Sequence, residues 1–174
     1  MDVASQGALV KAAAREVALA STDTKNAALL AAADVLLARS AEIVDANAAD
    51  VAAAEAEGTS ATVIDRLRLT AARIESMADG LRQVANLPDP VGEVLDGWVR
   101  PNGLRIERAR VPLGVVAIIY ENRPNVTSDA AALCLKSGNG AFLRGSSAAI
   151  NSNRAIAAAL REGCLLYTSP SPRD

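Results

Sequence analysis

The sequence predicts an α/β chain: N-terminal helices, a hairpin, and the first part of a Rossmann-like parallel sheet. Three observations carry that prediction. Apolar residues recur at helical spacing from Val3 to Asn86. From Leu87 the period disappears among Pro88, Pro90, Gly92, Gly97, Pro101 and Gly103. Val111 to Gly145 then reads strand, helix, strand within about thirty residues, a βαβ unit that is right-handed by strong default.

The elements follow in order. Val3 to Ala20 is a helix with Val10, Ala14 and Val17 on one face, and Ser21 and Thr22 break it. A second helix runs from about Asp23 to Ala38, with Leu29, Ala33 and Leu36 inward. Ser40 caps a third, which carries Ile43 and Val44 and stops at Gly58. A short helical turn covers Ala61 to Arg66. Thr70 caps a helix to about Asn86, whose stripe is Ile74, Met77, Leu81 and Val84. Val91 to Val99 and Leu104 to Val111 form an exposed hairpin around Pro101-Asn102-Gly103. Val115 to Tyr120, apolar and β-branched, suits a strand buried on both faces. Pro124 keeps Arg123 out of helical geometry, so a loop follows. Asn125 caps a helix over Val126 to Lys136, Gly138 ends it, and Ala141 to Leu143 is the next strand. Ser146 or Ser147 caps a last helix, Ala148 to Leu160.

Composition narrows the function. The chain has 174 residues and can bury a sizeable core. It is 51% hydrophobic but 2% aromatic, so Ala, Val, Leu and Ile fill that core. A net charge of -2 argues against nucleic acid as a partner. No apolar run reaches membrane-spanning length and the first residues lack a signal core, so a cytoplasmic protein with no membrane partner is expected. The absence of histidine excludes a Ser-His-Asp triad and any zinc site needing imidazole, and no metal is expected. Gly138-Asn139-Gly140 follows a helix, not a strand, so it is a turn and not a dinucleotide fingerprint.

Ligands of parallel sheets bind beyond the carboxyl ends of the strands, here Glu121 to Asn125 and Arg144 to Ser147. Those residues also carry a resemblance. YENRPNVTSDAAALCLKSGN and LRGSSAAINSNRA, with DRLRLTAARI, LPDPVGEVLDG and RVPLGVVAIIYE upstream, resemble the γ-glutamyl phosphate reductases of the aldehyde dehydrogenase superfamily. The likeness covers roughly residues 4 to 162. It implies an oxidoreductase of proline biosynthesis, a glutamate-5-semialdehyde dehydrogenase. Such an enzyme reduces L-glutamate 5-phosphate with NADPH to L-glutamate 5-semialdehyde and releases phosphate. It implies that residues 1–162 are the N-terminal part of a cofactor-binding domain. The hairpin at about 91–111 would reach another subunit of a homo-oligomer. It also implies that the nucleophilic cysteine lies beyond this chain, leaving the fragment inactive alone.

Site residues follow one by one. The superfamily's Trp-Asn-Phe-Pro loop, aligned on Pro124, puts Asn122 where an amide donates to the substrate oxyanion. Glu121 and Arg123 replace the flanking aromatics, and a small residue often stands at this place in the reductase branch. Asn122 is a candidate oxyanion donor all the same. Arg123 can bind an anionic group of the substrate, or simply be solvated. The superfamily's Lys-Pro-Ser, which contacts the adenosine ribose, matches Arg144, Gly145 and Ser146. A cation and hydroxyls before a helix suit a ribose 2′-phosphate, hence NADP(H), or an ordinary strand end and cap. Cys134 reads as inert packing within an apolar helix. Residues 163–174, with Cys164 and TSPSPRD, depart from the family and read as a non-native tail, like a translated vector scar. Two rivals stand beside this reading. One is another aldehyde dehydrogenase-like enzyme; the other is a non-catalytic nucleotide-binding or interaction module.

Overall fold

The computed structural model describes residues 2–168. Among them the order is α1 (Val3–Leu19), α2 (Thr22–Ala38), α3 (Ser40–Ala56), α4 (Ala61–Leu67), α5 (Ala71–Asn86), β1 (Val94–Val99), β2 (Arg105–Ala109), β3 (Val115–Ile119), α6 (Val126–Lys136), β4 (Gly140–Arg144), a 3-10 turn (Ser147–Ala149) and α7 (Ile150–Thr168). β1 and β2 form an antiparallel hairpin, and β3 and β4 a parallel pair.

The local signals that succeed are caps. Ser21 accepts from the Thr24 N–H and Thr70 from the Arg73 N–H, each stabilising its helix by about 1 kcal/mol. Gly138 closes α6 at φ +74°, where Asn139 N–H reaches back to the Cys134 carbonyl at 2.8 Å. Other expected caps fail. Ser40 is already helical, and neither Arg39 before it nor Ser146 before the 3-10 turn makes a side-chain cap bond. Asn125 precedes α6 in helical geometry, and its amide turns to Asp129 Oδ2 at 3.0 Å. Backbone bonds from Val126 to Arg123 and from Thr127 to Pro124, both 3.0 Å, start α6 instead.

The core is helical. α2 is its axis, lying against α5, α6 and α7. Leu29, Ala33 and Leu36 are buried as expected, and so are Ala28, Ala31 and Ala32. An apolar face this wide requires cover from more than one side, while Leu30 and Asp34 stay exposed. Ile74, Met77 and Leu81 of α5 and Ile156, Ala159 and Leu160 of α7 provide it. The contact with α7 is tight: a Cβ at Gly163 would stand 2.4 Å from Ala32 Cα. α7 therefore runs past its expected end at Leu160 to Thr168, and Gly163 packs in the core. Residues 169–174 of the expected tail lie outside the described residues.

β3 is not buried on both faces. Its residues alternate between half-buried and exposed, and Ile119 is 73% exposed. A strand with one neighbour, β4, and cover from α1 on part of one side has little to hide in. The hairpin is exposed as expected, with Val94, Leu95, Trp98 and Val99 facing solvent.

Two buried polar residues of α3 organise the start of α7. The Asp50 carboxylate accepts from Ser152 N–H at 2.8 Å, Ser152 Oγ at 2.6 Å and Asn151 Nδ2 at 2.9 Å. Asn47 Nδ2 donates to the Leu67 carbonyl and to Ser152 Oγ, both at 2.9 Å, and its Oδ1 accepts from Leu69 N–H at 2.6 Å. A carboxylate at a helix N-terminus meets unpaired N–H groups and the positive end of the helix dipole. Elsewhere Asp89 accepts from Thr22 at 2.8 Å and pairs with buried Lys25 at 2.5 Å, which pins the entry to the hairpin onto α2.

Two outcomes follow from these contacts. Asp50→Ala removes a buried charged acceptor and lowers urea-measured stability by about 3 kcal/mol, whereas Ser146→Ala, which loses no cap but gives up the hydroxyl's two long bonds to Asn122, lowers it by about 1–2 kcal/mol. Burial opposes the charge of Asp89, but its bonds to Lys25, Val91 and Thr22 prevail and hold its pKa below the ordinary 3.8. Its stabilisation is complete above that value and is lost as pH falls through the lower folded value. The stability gap between the native chain and Asp89→Asn therefore closes on acidification below about 3.8, read from urea midpoints across a pH series.

Candidate functional site

The parallel register sets Ile119 beside Arg144, and Tyr120 N–H reaches the Arg144 carbonyl at 3.1 Å. The two strand ends thus open side by side, where parallel sheets receive ligands. Asn122 sits in the left-handed region at φ +47°, a conformation that asparagine tolerates better than most residues. Ser146 holds it there. Ser146 Oγ accepts from Asn122 N–H at 3.4 Å and donates to Asn122 Oδ1 at 3.2 Å. Asn122 and Ser146 are therefore brought together. With Oδ1 engaged, Nδ2 of Asn122 bonds to none of the described residues and is available as a donor.

Behind this pair lies a polar chain that the sequence did not disclose. Tyr120 OH meets Thr127 Oγ1 at 2.7 Å, and Thr127 Oγ1 donates to Asn153 Oδ1 at 3.1 Å. It joins the end of β3, the start of α6 and the start of α7. Asn153 also explains Gly145, because a Cβ there would stand 2.1 Å from Asn153 Nδ2. A larger residue at this position would have to displace the Asn153 amide, which is bonded to Thr127. Arg144 is exposed, and its guanidinium has no partner among the described residues.

The other side of the loop faces a polar cleft of about 410 Å³ between α4, α5 and α6. Arg123 and Asn125 reach it from the loop, Asp65 and Arg66 from α4, Ser76 from α5 and Asp129 from α6. Burial raises the pKa of Asp129 against the opposing hydrogen bonds of Asn125 and Ser128. Arg123 is exposed at the edge of this open cleft, apart from Arg144, Gly145 and Ser146. Asp65, Arg66 and Ser76 are missing from the sequence reading, since they stand some fifty residues before the loop and no local pattern connects the two.

The thiols are unsuited to attack. Cys134 is buried in α6, and burial pushes its thiol pKa up, away from the thiolate a nucleophile needs. Burial raises the Cys164 thiol in the same way. A larger, mostly apolar cavity of about 510 Å³ includes Gly140 and Ala141, at the amino end of β4 and so away from the strand-end site.

No family model matches the chain. Over 99% of its length it is 60% identical to the γ-glutamyl phosphate reductase of Mesorhizobium japonicum. The crystal structure of γ-glutamyl phosphate reductase from Thermotoga maritima superposes with a TM-score of 0.90 at 46% identity, over 92% of this chain. A probable aldehyde dehydrogenase from Listeria monocytogenes superposes at 0.66 with 15% identity over 93% of this chain and 33% of its own, which speaks for the fold alone. The chain spans 40% of the Mesorhizobium protein and 39% of the Thermotoga protein. The expected aldehyde dehydrogenase-like fold is thereby established.

The left-handed backbone and the Ser146 bonds give Asn122 a testable structural share. Asn122→Ala loses both the Oδ1 bond and the residue tolerant of positive φ, and lowers stability by about 1–3 kcal/mol. Asn122→Gly restores the backbone freedom and recovers about 1 kcal/mol of that loss. Thermal or urea unfolding of the two variants measures the difference.

Proposed function

We propose that this chain, homologous to the γ-glutamyl phosphate reductases over nearly its whole length, is the cofactor-binding part of such an enzyme. The reaction is reduction of L-glutamate 5-phosphate to L-glutamate 5-semialdehyde with release of phosphate, a step of proline biosynthesis. The observation that carries the reading is the 60% identity along 99% of the chain, joined to strand ends that bring Asn122 against Ser146.

The residues fit a nicotinamide dinucleotide with a ribose 2′-phosphate. Arg144 stands unpaired at the carboxyl end of β4, immediately before the 3-10 turn and α7. A free guanidinium at that place matches a phosphate bidentately. Ser146 is engaged with Asn122, so Arg144 makes the charged contact and Ser146 positions the loop. When bound, the cofactor supplies a hydride. The chain's own residues orient and polarise: Asn122 Nδ2 donates to the substrate carbonyl oxygen as negative charge develops, and one such donor lowers the barrier by ~3 kcal/mol. Arg123 holds an anionic group of the substrate. The nucleophilic cysteine is supplied from outside these residues, so the chain alone does not turn over. The exposed hairpin, with Trp98 and Val99 in solvent, supports a homo-oligomer covered at that edge. Among the described residues no helix is long and apolar enough to cross a membrane, and a cytoplasmic enzyme is the natural reading.

Adenosine 2′,5′-bisphosphate tests the cofactor site on the 174-residue chain. Arg144→Gln weakens its binding about tenfold, the loss of one charge-assisted contact, and leaves binding of adenosine 5′-monophosphate unchanged. Equal losses for both nucleotides, or none for either, would remove Arg144 from the site.

A further inference from the structure

The polar cleft behind the Asn122 loop has a charge pattern of its own. Arg73 is committed to the fold: its guanidinium bonds Asp65 Oδ1 at 2.9 Å, the Arg68 carbonyl at 2.6 Å and the Asp65 carbonyl. That pairing neutralises Asp65. Arg66 and Arg123 have no such commitment, and neither guanidinium has a partner among the described residues. Asp129 is half committed, with Oδ2 accepting from Asn125 Nδ2 at 3.0 Å. Ser76 Oγ donates to the Ala72 carbonyl at 3.0 Å and keeps acceptor capacity. The cleft therefore offers two unpaired cations and one carboxylate within a volume of about 410 Å³, the size of a small-molecule site.

This pattern selects among ligands. A purely anionic group gains from Arg66 and Arg123 but meets repulsion from Asp129. A zwitterion with a carboxylate and an ammonium on one carbon satisfies both signs at once. The cleft also lies next to the proposed chemistry. Arg123 follows Asn122 directly, so the cleft and the Asn122 amide lie on two sides of one short loop, and a ligand that serves both extends around it.

We infer that this cleft binds the α-amino-acid end of the substrate, with Arg66 and Arg123 on its α-carboxylate and Asp129 with Ser76 on its α-ammonium. The assignment rests on the reductase reading and makes it more specific: discrimination for an amino acid is built by α4, α5 and α6, not by the strand ends. Arg66 and Arg123 are binding residues in this scheme. Asn125 is a positioning residue that aims Asp129.

The test uses the full 174-residue chain and L-glutamate as probe, followed by amide NMR. L-Glutamate is expected to shift the signals of Ser76 and Asn125. Glutarate, which lacks the ammonium, binds about tenfold more weakly, one charge-assisted contact having been lost. Arg66→Gln and Arg123→Gln each weaken L-glutamate about tenfold, and Asp129→Asn weakens L-glutamate without weakening glutarate. Unchanged amide spectra away from the cleft verify that the variants are folded. Glutarate binding as tightly as L-glutamate, L-glutamate affinity unmoved by both arginine variants, or shifts from inorganic phosphate but not from L-glutamate would each overturn the inference. Adenosine 2′,5′-bisphosphate separates the two levels. If it binds through Arg144 while L-glutamate does not bind, only this inference falls. If neither binds, the cofactor reading falls with it.

Discussion

The strand-end site depends on where α7 begins, and the Asp50 carboxylate holds that beginning. Asp50 reaches across from α3 to collect the Ser152 amide, the Ser152 hydroxyl and the Asn151 side chain. Asn47, one turn earlier on α3, collects Ser152 again and adds the turn between α4 and α5 through Leu67 and Leu69. A buried carboxylate accepting this many donors is fully compensated, so it fixes geometry without leaving an unpaired charge. Asn153 follows in the same turn of α7 and meets Thr127, and through it Tyr120 at the end of β3. The helical layer thereby dictates the separation of the two loops that the parallel sheet merely starts.

The sheet itself is a minor partner. β3 and β4 share five residue pairs, and each strand keeps an open side. Stability resides in the contacts of α2 with α5, α6 and α7, built from alanine, leucine and isoleucine with almost no aromatic surface. Small side chains let the helix axes approach closely, and Gly163 against Ala32 marks the limit of that approach. Close approach compensates for small side chains, because dispersion contacts accumulate where backbones nearly touch. The polar residues are placed where helices end: Asp89 with Lys25 at the start of α2, Asp50 at the start of α7, and Lys136 reaching Asn26 and the Ala85 carbonyl at the end of α5.

Much of this was legible in the sequence, and the boundary of legibility is physical. Ser21, Thr70 and Gly138 announce helix ends because their partners lie within a few residues. The stripe of α5 and the burial of Leu29 and Leu36 follow from period alone. Asn125 misled, because a good capping side chain also finds a carboxylate one turn ahead, at Asp129. Asp50 gives no local signal, because its partners are a hundred positions away. β3 read as doubly buried because composition cannot say how many strands lie beside it. At the site, the pairing of Asn122 with Ser146 could be anticipated from strand-end logic. The cleft containing Arg66 and Arg123 could not, since it joins two segments that only the tertiary fold brings together.

The placement of α2 has a consequence for synthesis. Its apolar surface faces residues from four later segments, and its tightest neighbour, Gly163, emerges about 130 positions after Ala32. Until α7 leaves the ribosome, α5 and α6 can cover their parts of α2, but the part that α7 covers stays open. At ordinary elongation rates that interval lasts about 6–25 seconds, long compared with helix formation. During it Ala28, Ala32 and Leu36 present a sticky stripe to whatever is nearby. The contact between α2 and α7 spans more sequence than the contacts of α2 with α5 and α6, and it becomes available after them.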